Sequence, residues 1–510
     1  MTTPRRRSGA ALLAVASMLG AAACGARVPP YLGPATSQAR PGAGGGAAAA
    51  GPAQVGAVAG GSGPIPGVGP VTPGRASAVT APTSPIPGGV SASARGLASG
   101  STVHTTGLTP ASFPLDPVAQ AALCPPSADN TASDTGITPL SINVGNVSGI
   151  TGLLANNFEQ GPEAVQALFS AINAAGGVCG RRLKLDLEDD GQDSTKNAAD
   201  IADLIPRSFA FVGSTSDADN GGVPEMTNAR IPDVGVAINL NRGQTPVFWT
   251  TTGGALYIQG HPYFYDTLVE GLKANGNFPT KIATLAYSVP ISADAGKEFA
   301  NLFVQGGAAN CFSDYSVSPA SASLDQDVLE IKNKGCDGVY TTMDVTGNAK
   351  LLQAIQRQSY HPRFVGTTFD GYTPAQVAVA GQDAAQGFEV TLPFVPFTDA
   401  NAAMGTYLSE LRRYEPGKDP SSFGVEAWAA AEMFVYGLVK AGRNPTRATL
   451  VKAFEDIDSW DTGGATAAYT PRLRRPPGPC TVEAVVKGND FTRKWPPSRF
   501  FCAGKLVPVG

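Results

Sequence analysis

Two short segments of this 510-residue sequence combine the residue types best suited to hold a small polar molecule. FVGSTSD, Phe211 to Asp217, and FVGTTFD, Phe364 to Asp370, each follow an apolar run with glycine, hydroxyl side chains and an aspartate. Backbone N–H groups at a helix start attract anions, and small hydroxyls admit a carboxylate closely while donating further hydrogen bonds. Ser214, Thr215 and Ser216 therefore form one candidate cradle. No lysine follows to suit a polyphosphate, so a small carboxylate or neutral polar group fits better. Asp370, beside Thr367 and Thr368, offers a carboxylate to a ligand ammonium, and Thr341 and Thr342 of GVYTTMD are placed to line the same cleft. Trp428, in VEAWAAAEMF, is a candidate stacking surface. Each also has a plainer reading: Ser216 as a helix cap, Asp370 as a turn or cap aspartate, Trp428 as core, and the echo between the segments as common strand-turn chemistry.

Catalytic patterns are scarce. There is no G-x-S-x-G elbow and no G-x4-G-K loop, and the dinucleotide-like glycine spacing around Gly42 and Gly44 lies in a stretch without a strand. Asp189 and Asp190 invite an acid–base reading, but they suit better the end of a strand and the approach to a helix cap. The three histidines, His104, His261 and His361, lack ligand spacing and there is no C-x-x-C pair, so neither a metal nor a cofactor is expected. A net charge of −4 with 15% charged residues supplies no basic field for nucleic acid.

The elements that must position these residues begin after a long preamble. Arg5, Arg6 and Arg7 precede an apolar run, Ala10 to Ala23, too short to span a bilayer, which ends in LGAAAC. This resembles a bacterial lipoprotein signal over residues 1–24, with Cys24 lipidated after cleavage; an ordinary secretory signal with an incidental cysteine is the other reading. Residues 25–137 are rich in Ala, Gly, Pro and Ser and are expected to be a disordered tether. As a flexible coil it would reach roughly 60 Å from a membrane.

From residue 138 strands and helices alternate. In NFEQGPEAVQALFSAINAAGG, the residues Ala164, Val165, Leu168, Phe169 and Ile172 share one helical face, and Gly176 and Gly177 end it. LKLDLEDD alternates as a half-covered strand, and Asp193 or Ser194 caps the next helix. The alternation restarts at KIATLAY, which predicts an α/β fold of two doubly wound parallel-sheet lobes joined by a multi-strand hinge. Lobe 1 is expected over 138–256 plus 394–458, and lobe 2 over 257–393 plus 459–510, with a C-terminal disulfide extension. In open α/β sheets ligands bind at the carboxyl ends of the strands, which is where both heptapeptides fall.

Beyond Cys24, six cysteines remain, an even number in a chain with an export signal. They fall along the chain as three pairs, predicting Cys124–Cys179, Cys311–Cys336 and Cys480–Cys502. The first would staple the helix-to-strand turn to the segment entering the domain, worth roughly 3–4 kcal/mol in the loop-entropy model.

The stretch FEQGPEAVQALFSAINAAGGVCGRRLKLDLEDDGQDSTKNAADIADLI resembles the start of the type I periplasmic-binding-protein fold, in its leucine/isoleucine/valine-binding branch of solute receptors. That family's pattern is a helix ending N-A-A-G-G, an N-G-R/K turn, a strand and D-D; Cys179 stands in the turn. The likeness continues through FAFVGSTSDADNGGVPEMTNARIPDVG, VLEIKNKGCDGVYTT and FGVEAWAAAEMFVYGLVKAG. It implies two lobes joined by three crossings, closing on an amino acid or similar solute that an ABC permease takes up. Ser216 is similar to the family serine that bonds the ligand carboxylate. Ile238 and Asn239 correspond to the segment completing that site, where threonine is usual in place of Asn239. Asp370 lies within one or two residues of the family acid that holds the ammonium, and the tyrosine expected after ATLAYSVP has no counterpart in ISADAGKEF. The expectation is a monomeric, lipid-anchored extracytoplasmic receptor with a small-molecule ligand and a permease partner and no enzymatic activity. A sensor of the same fold and, less favoured, a lipoprotein hydrolase are the alternatives.

Overall fold

A computed structural model describes residues 102–510, except 153, 251–255, 259–260 and 472–479. The signal segment, Cys24 and the tether as far as residue 101 lie outside the described residues.

A short helix, α1 (Pro117–Ala122), precedes the first sheet. Then come β1 (Ser141–Ser148), α2 (Ala155–Phe158), α3 (Gln160–Ala174), β2 (Arg182–Asp189), α4 (Ser194–Leu204), β3 (Ala210–Val212), α5 (Val223–Ala229), β4 (Asp233–Gly235), α6 (Leu240–Gly243) and β5 (Phe248–Thr250). The strands form one parallel sheet in the order β2-β1-β3-β4-β5. The predicted face of α3 is fully buried from Ala164 to Ile172, each large side chain contributing about 1.5–3 kcal/mol by leaving water. Asp193 caps α4, its carboxylate accepting from the Thr195 and Lys196 amides at 2.8 Å each. At the sheet edge Leu183 is buried and Leu187 exposed, so β2 is covered along only part of its length.

The chain crosses through an antiparallel pair, β6 (Leu256–Ile258) and β7 (His261–Tyr265). The second lobe follows with α7 (Thr267–Ala274), β8 (Lys281–Tyr287), α8 (Pro290–Gln305), β9 (Ala309–Val317), α9 (Asp325–Asn333), β10 (Gly338–Thr341), α10 (Val345–Arg357), β11 (Phe364–Thr367), α11 (Pro374–Ala380), α12 (Gln382–Ala385) and β12 (Glu389–Leu392). Three helices then return, α13 (Ala402–Tyr414), α14 (Ser422–Ala441) and α15 (Arg447–Glu455); α13 and α14 pack on α3, and α15 packs on α14. From Ser422 to Val439 α14 is buried on every side, as a helix apolar all round must be. Finally β13 (Val482–Lys487) and β14 (Asp490–Trp495) join the second sheet antiparallel, and β15 (Leu506–Pro508) pairs with β7. That sheet runs β14-β13-β12-β11-β10-β8-β9, parallel from β12 to β9.

The structure forms the three cysteine pairs expected from the sequence. It corrects the extent of the tether, because residues 103–137 are not free chain. Leu108, Phe113, Cys124 and Ile137 are buried in the core that α14 shares with β1, and Phe113 meets Tyr436 edge-on at 5.4 Å. The Gly/Pro-rich composition concealed this, since the segment has too few apolar residues for a core of its own and uses that of lobe 1.

Cys179 itself adopts φ 54° and Gly180 φ 78°, between Val178 and Arg181, which bridge to each other. Consecutive left-handed residues in so tight a turn are the positions where Asn-Gly is favoured, and a non-glycine residue there costs about 1–2 kcal/mol. The bond to Cys124, with Cα atoms 4.4 Å apart, offsets that cost. Next to it the buried Arg181 donates to the carbonyls of Thr138 (2.8 Å), Arg443 (2.6 Å) and Thr131 (2.9 Å) and to Asn444 Oδ1 (3.1 Å). One guanidinium thereby ties the entering segment, the turn and the end of α14 together.

Candidate functional site

The site is built from the loops that leave the carboxyl ends of the strands. In lobe 1, Gly213 turns the chain out of β3 at φ 65°, and a Cβ there would lie 2.5 Å from Val165 Cγ2. The hydroxyls that follow are largely committed to the loop. Ser214 Oγ accepts from the Val147 amide at 3.1 Å, while Thr215 donates its N–H to Ser148 Oγ at 2.9 Å and its hydroxyl to the Phe158 carbonyl at 2.8 Å. Ser216 Oγ accepts from the Ala218 amide at 3.0 Å, which leaves its O–H proton to donate elsewhere.

The loop after β4 is tied to an acidic side chain. Asp219 accepts from the amides of Ile238 (2.8 Å) and Asn239 (2.9 Å) and from Asn239 Nδ2 (2.9 Å), and it pairs with Arg242 at 3.2 Å. Arg242 also grips Asp233 with two prongs, at 2.8 and 2.9 Å. Burial raises the Asp219 carboxyl above its ordinary range even against Arg242. Asp217 is pushed up to about 6, first by burial and then by the nearby carboxylates of Asp190 and Asp219. Asp189, in contrast, is held below the carboxylate range despite burial by hydrogen bonds from Thr151, Gly191 and Ile150, so it is a loop anchor.

In lobe 2, Thr341 Oγ1 accepts from the Met343 amide at 3.1 Å, and Thr342 Oγ1 donates to the Ser292 carbonyl at 2.9 Å. Ser292 Oγ in turn donates to the Thr342 carbonyl at 2.8 Å, and the Tyr287 hydroxyl reaches Asp344 at 2.5 Å. These contacts lock β8, β10 and the start of α10 into one edge. Asp370 lies half-buried in a single 3-10 turn, Phe369–Gly371, its carboxyl pushed up to about 6 by burial against the help of the Thr368 hydroxyl. Close by, Asn348 is fully buried in the first turn of α10 with neither amide atom hydrogen-bonded; its Nδ2 would lie 3.2 Å from a Cβ at Gly371.

The two edges face one another. Phe158 of α2 meets Phe423 of α14 at 5.2 Å, and Phe423 meets Phe369 of lobe 2 at 5.5 Å. Ile238 and Val289, from opposite lobes, belong to the same apolar cluster. Of the residues singled out in the sequence, Ile238 packs against this cluster, Asn239 and Asp370 follow Ile238 and Phe369 in the chain, and Thr215 donates to the Phe158 carbonyl. Trp428 lies in the core of lobe 1, edge-on to Tyr407 at 5.4 Å. The aromatic trio was missed, although Phe369 stands inside FVGTTFD itself; a large apolar residue at a strand end with no place on a helical face was the available signal. Among the described residues no cluster of His, Cys, Asp and Glu could hold a metal ion.

Two α/β lobes whose strand-end loops pack into one apolar cluster have the architecture of the type I periplasmic-binding-protein fold. The chain belongs to the periplasmic binding protein family, whose model matches residues 141–489. Solved structures agree in fold. A fatty acid ABC transporter substrate-binding protein from Thermomonospora curvata superposes with a TM-score of 0.61 at 17% identity, covering 72% of this chain and 94% of its own. The branched-chain amino acid transporter substrate-binding protein LivJ from Streptococcus pneumoniae, in complex with isoleucine, gives 0.59 at 13% identity, covering 72% and 99%. A solute-binding protein from R. palustris in complex with 4-hydroxybenzoate gives 0.56 at 17%, covering 71% and 97%. No curated protein matches the sequence. No described helix is long and apolar enough to cross a membrane.

Proposed function

We propose that this protein captures an amino acid or related small polar solute between its lobes outside the cytoplasm and delivers it to an ABC-type importer, held at the membrane by a lipid on Cys24. The observation that carries the reading is the meeting of Phe369 with Phe423 between the lobes, in the apolar cluster against which Ile238 also packs. Ligand contacts made only when the lobes are closed shift the population toward the closed form, and a closed form is what a permease can distinguish. Of the similar structures one is in complex with isoleucine, one with 4-hydroxybenzoate, and one is named for a fatty acid transporter, so ligand identity is a property of this chain's own side chains. Thermal-shift screening against amino acids, amides, urea and aromatic acids tests the reading. A ligand at a hundred times its Kd adds about 2.7 kcal/mol to stability, and small-angle scattering should show the particle contract. A chain that binds none of these solutes and keeps one shape in all of them would end the proposal.

A further inference from the structure

The lobe 1 face of the cleft has already filled the place of a ligand carboxylate with a side chain of its own. The backbone N–H groups of Ile238 and Asn239, the donors a carboxylate would need there, are both spent on Asp219 at 2.8 and 2.9 Å. The Arg242 guanidinium is shared between Asp219 and Asp233, so its charge is consumed twice over. Asp190 is satisfied by the Gln192 amide at 2.9 Å and by Asn197 Nδ2 at 2.8 Å, without a cation.

Asp217 is left over. It follows Ser216 directly, its Oδ1 is out of solvent, and no other residue donates to that oxygen. The charges acting on it are the carboxylates of Asp190 and Asp219. A free carboxylate entering beside Ser216 would meet this group at close range in a medium of reduced dielectric, where like charges repel strongly. Across the cleft Asp370 holds the same place in the second heptapeptide, with no cation acting on it. Beside it the buried Asn348 keeps a carbonyl and an amino group unpaired. Both lobes thus offer acceptors that lack donors.

We infer that Asp217 sets the specificity of the cleft by receiving a positively charged nitrogen, as an amine, amidine or guanidine, so that the ligands are organic cations and not free carboxylates at this end. This deepens the solute-binding reading and rests on it. In the free protein the aspartate is an unmatched acceptor, and in the complex it becomes a charge-assisted hydrogen bond.

The test uses the disulfide-bonded full chain and matched compounds: phenethylamine, phenylacetamide and phenylacetate, then isoamylamine, isovaleramide and isovalerate, with leucine and agmatine alongside. Thermal shift selects binders and calorimetry gives affinities for the wild type, Asp217→Asn and Asp217→Ser, each checked by circular dichroism. The amines should bind the wild type at least about tenfold more tightly than the matched acids, and that preference should collapse in both variants. Acids that bind as tightly as amines, or a preference unchanged in folded variants, would overturn the assignment while leaving solute binding intact. A wild type that binds no compound of either charge would remove the solute-binding reading and this proposal with it.

Discussion

Glu432 is an acid in the wrong place for an acid. It lies buried in α14, one turn after Trp428, and interacts with Gln120 of α1. Burial raises its carboxyl from 4.5 to about 8, outweighing the pull of the polar groups of Trp428 and Gln120. At pH 7 the folded chain therefore carries a proton here that the unfolded chain has given up. A raised value means that this group's contribution to stability is whole below about 4.5, falls as the pH rises, and levels off above about 8. At 1.36 kcal/mol per pH unit the loss has an upper limit of about 3 kcal/mol at pH 7 and about 5 kcal/mol by pH 9. Glu432→Gln keeps the shape and an accepting oxygen but cannot ionise, so it removes this loss, less about 1 kcal/mol for its new N–H groups. Urea unfolding of both proteins at pH 5, 7 and 9, disulfides intact, should show a variant close to wild type at pH 5 and more stable by a few kcal/mol at pH 9. A stability difference that stays flat across that range would refute the reasoning, whatever its sign.

Two further outcomes concern the entering segment. Arg181→Met deletes hydrogen bonds to Thr138, Thr131, Arg443 and Asn444 and leaves part-buried carbonyls unpaired. It should lower stability by about 3 kcal/mol or more in chemical denaturation, and a midpoint equal to that of the wild type would contradict the tie described above. Cys124→Ala should cost about 2–5 kcal/mol, whereas Cys124→Ala with Cys179→Asn should regain about 1 kcal/mol, because asparagine tolerates the left-handed turn at φ 54°. If the double variant is no more stable than the single one in the same thermal melts, the turn is not what the disulfide offsets.

The parts of this molecule written in local pattern were legible, and the parts that join distant segments were not. The face of α3 and the Asp193 cap follow from spacing alone. The heptapeptides marked both strand ends, because glycine, hydroxyls and an aspartate after an apolar run are short-range chemistry. Which way each hydroxyl points is set by neighbours far along the chain: Thr215 is claimed by Ser148 and Phe158, and the amides of Ile238 and Asn239 by Asp219. Periodicity names a face but not its partner. Trp428 was open between core and cleft for the same reason, and the burial of α14 on every side decides it. Residues 103–137 misled because their composition describes what they cannot do alone, not what they do against Tyr436 and Arg181.

The aromatic trio separates hinge motion from lobe stability. Phe158 and Phe423 both belong to the lobe 1 side, one in α2 and the other in the first turn of α14, while Phe369 belongs to the second sheet's edge. Opening the cleft must part Phe369 from Phe423 and can leave Phe158 on Phe423 untouched. An aromatic contact of this kind is worth about 0.5–1.5 kcal/mol beyond area, so Phe369→Ala should weaken every ligand by about twofold to tenfold through the closed population alone. The radius of gyration of the free protein should rise with little change in melting temperature. Phe158→Ala should instead lower the melting temperature, since truncating a buried phenylalanine costs about 3–5 kcal/mol, while the free protein stays as closed as before. If Phe158→Ala expands the particle and Phe369→Ala only lowers the melting temperature, then α14 travels with lobe 2, and the contact that closes the cleft is the one between Phe158 and Phe423.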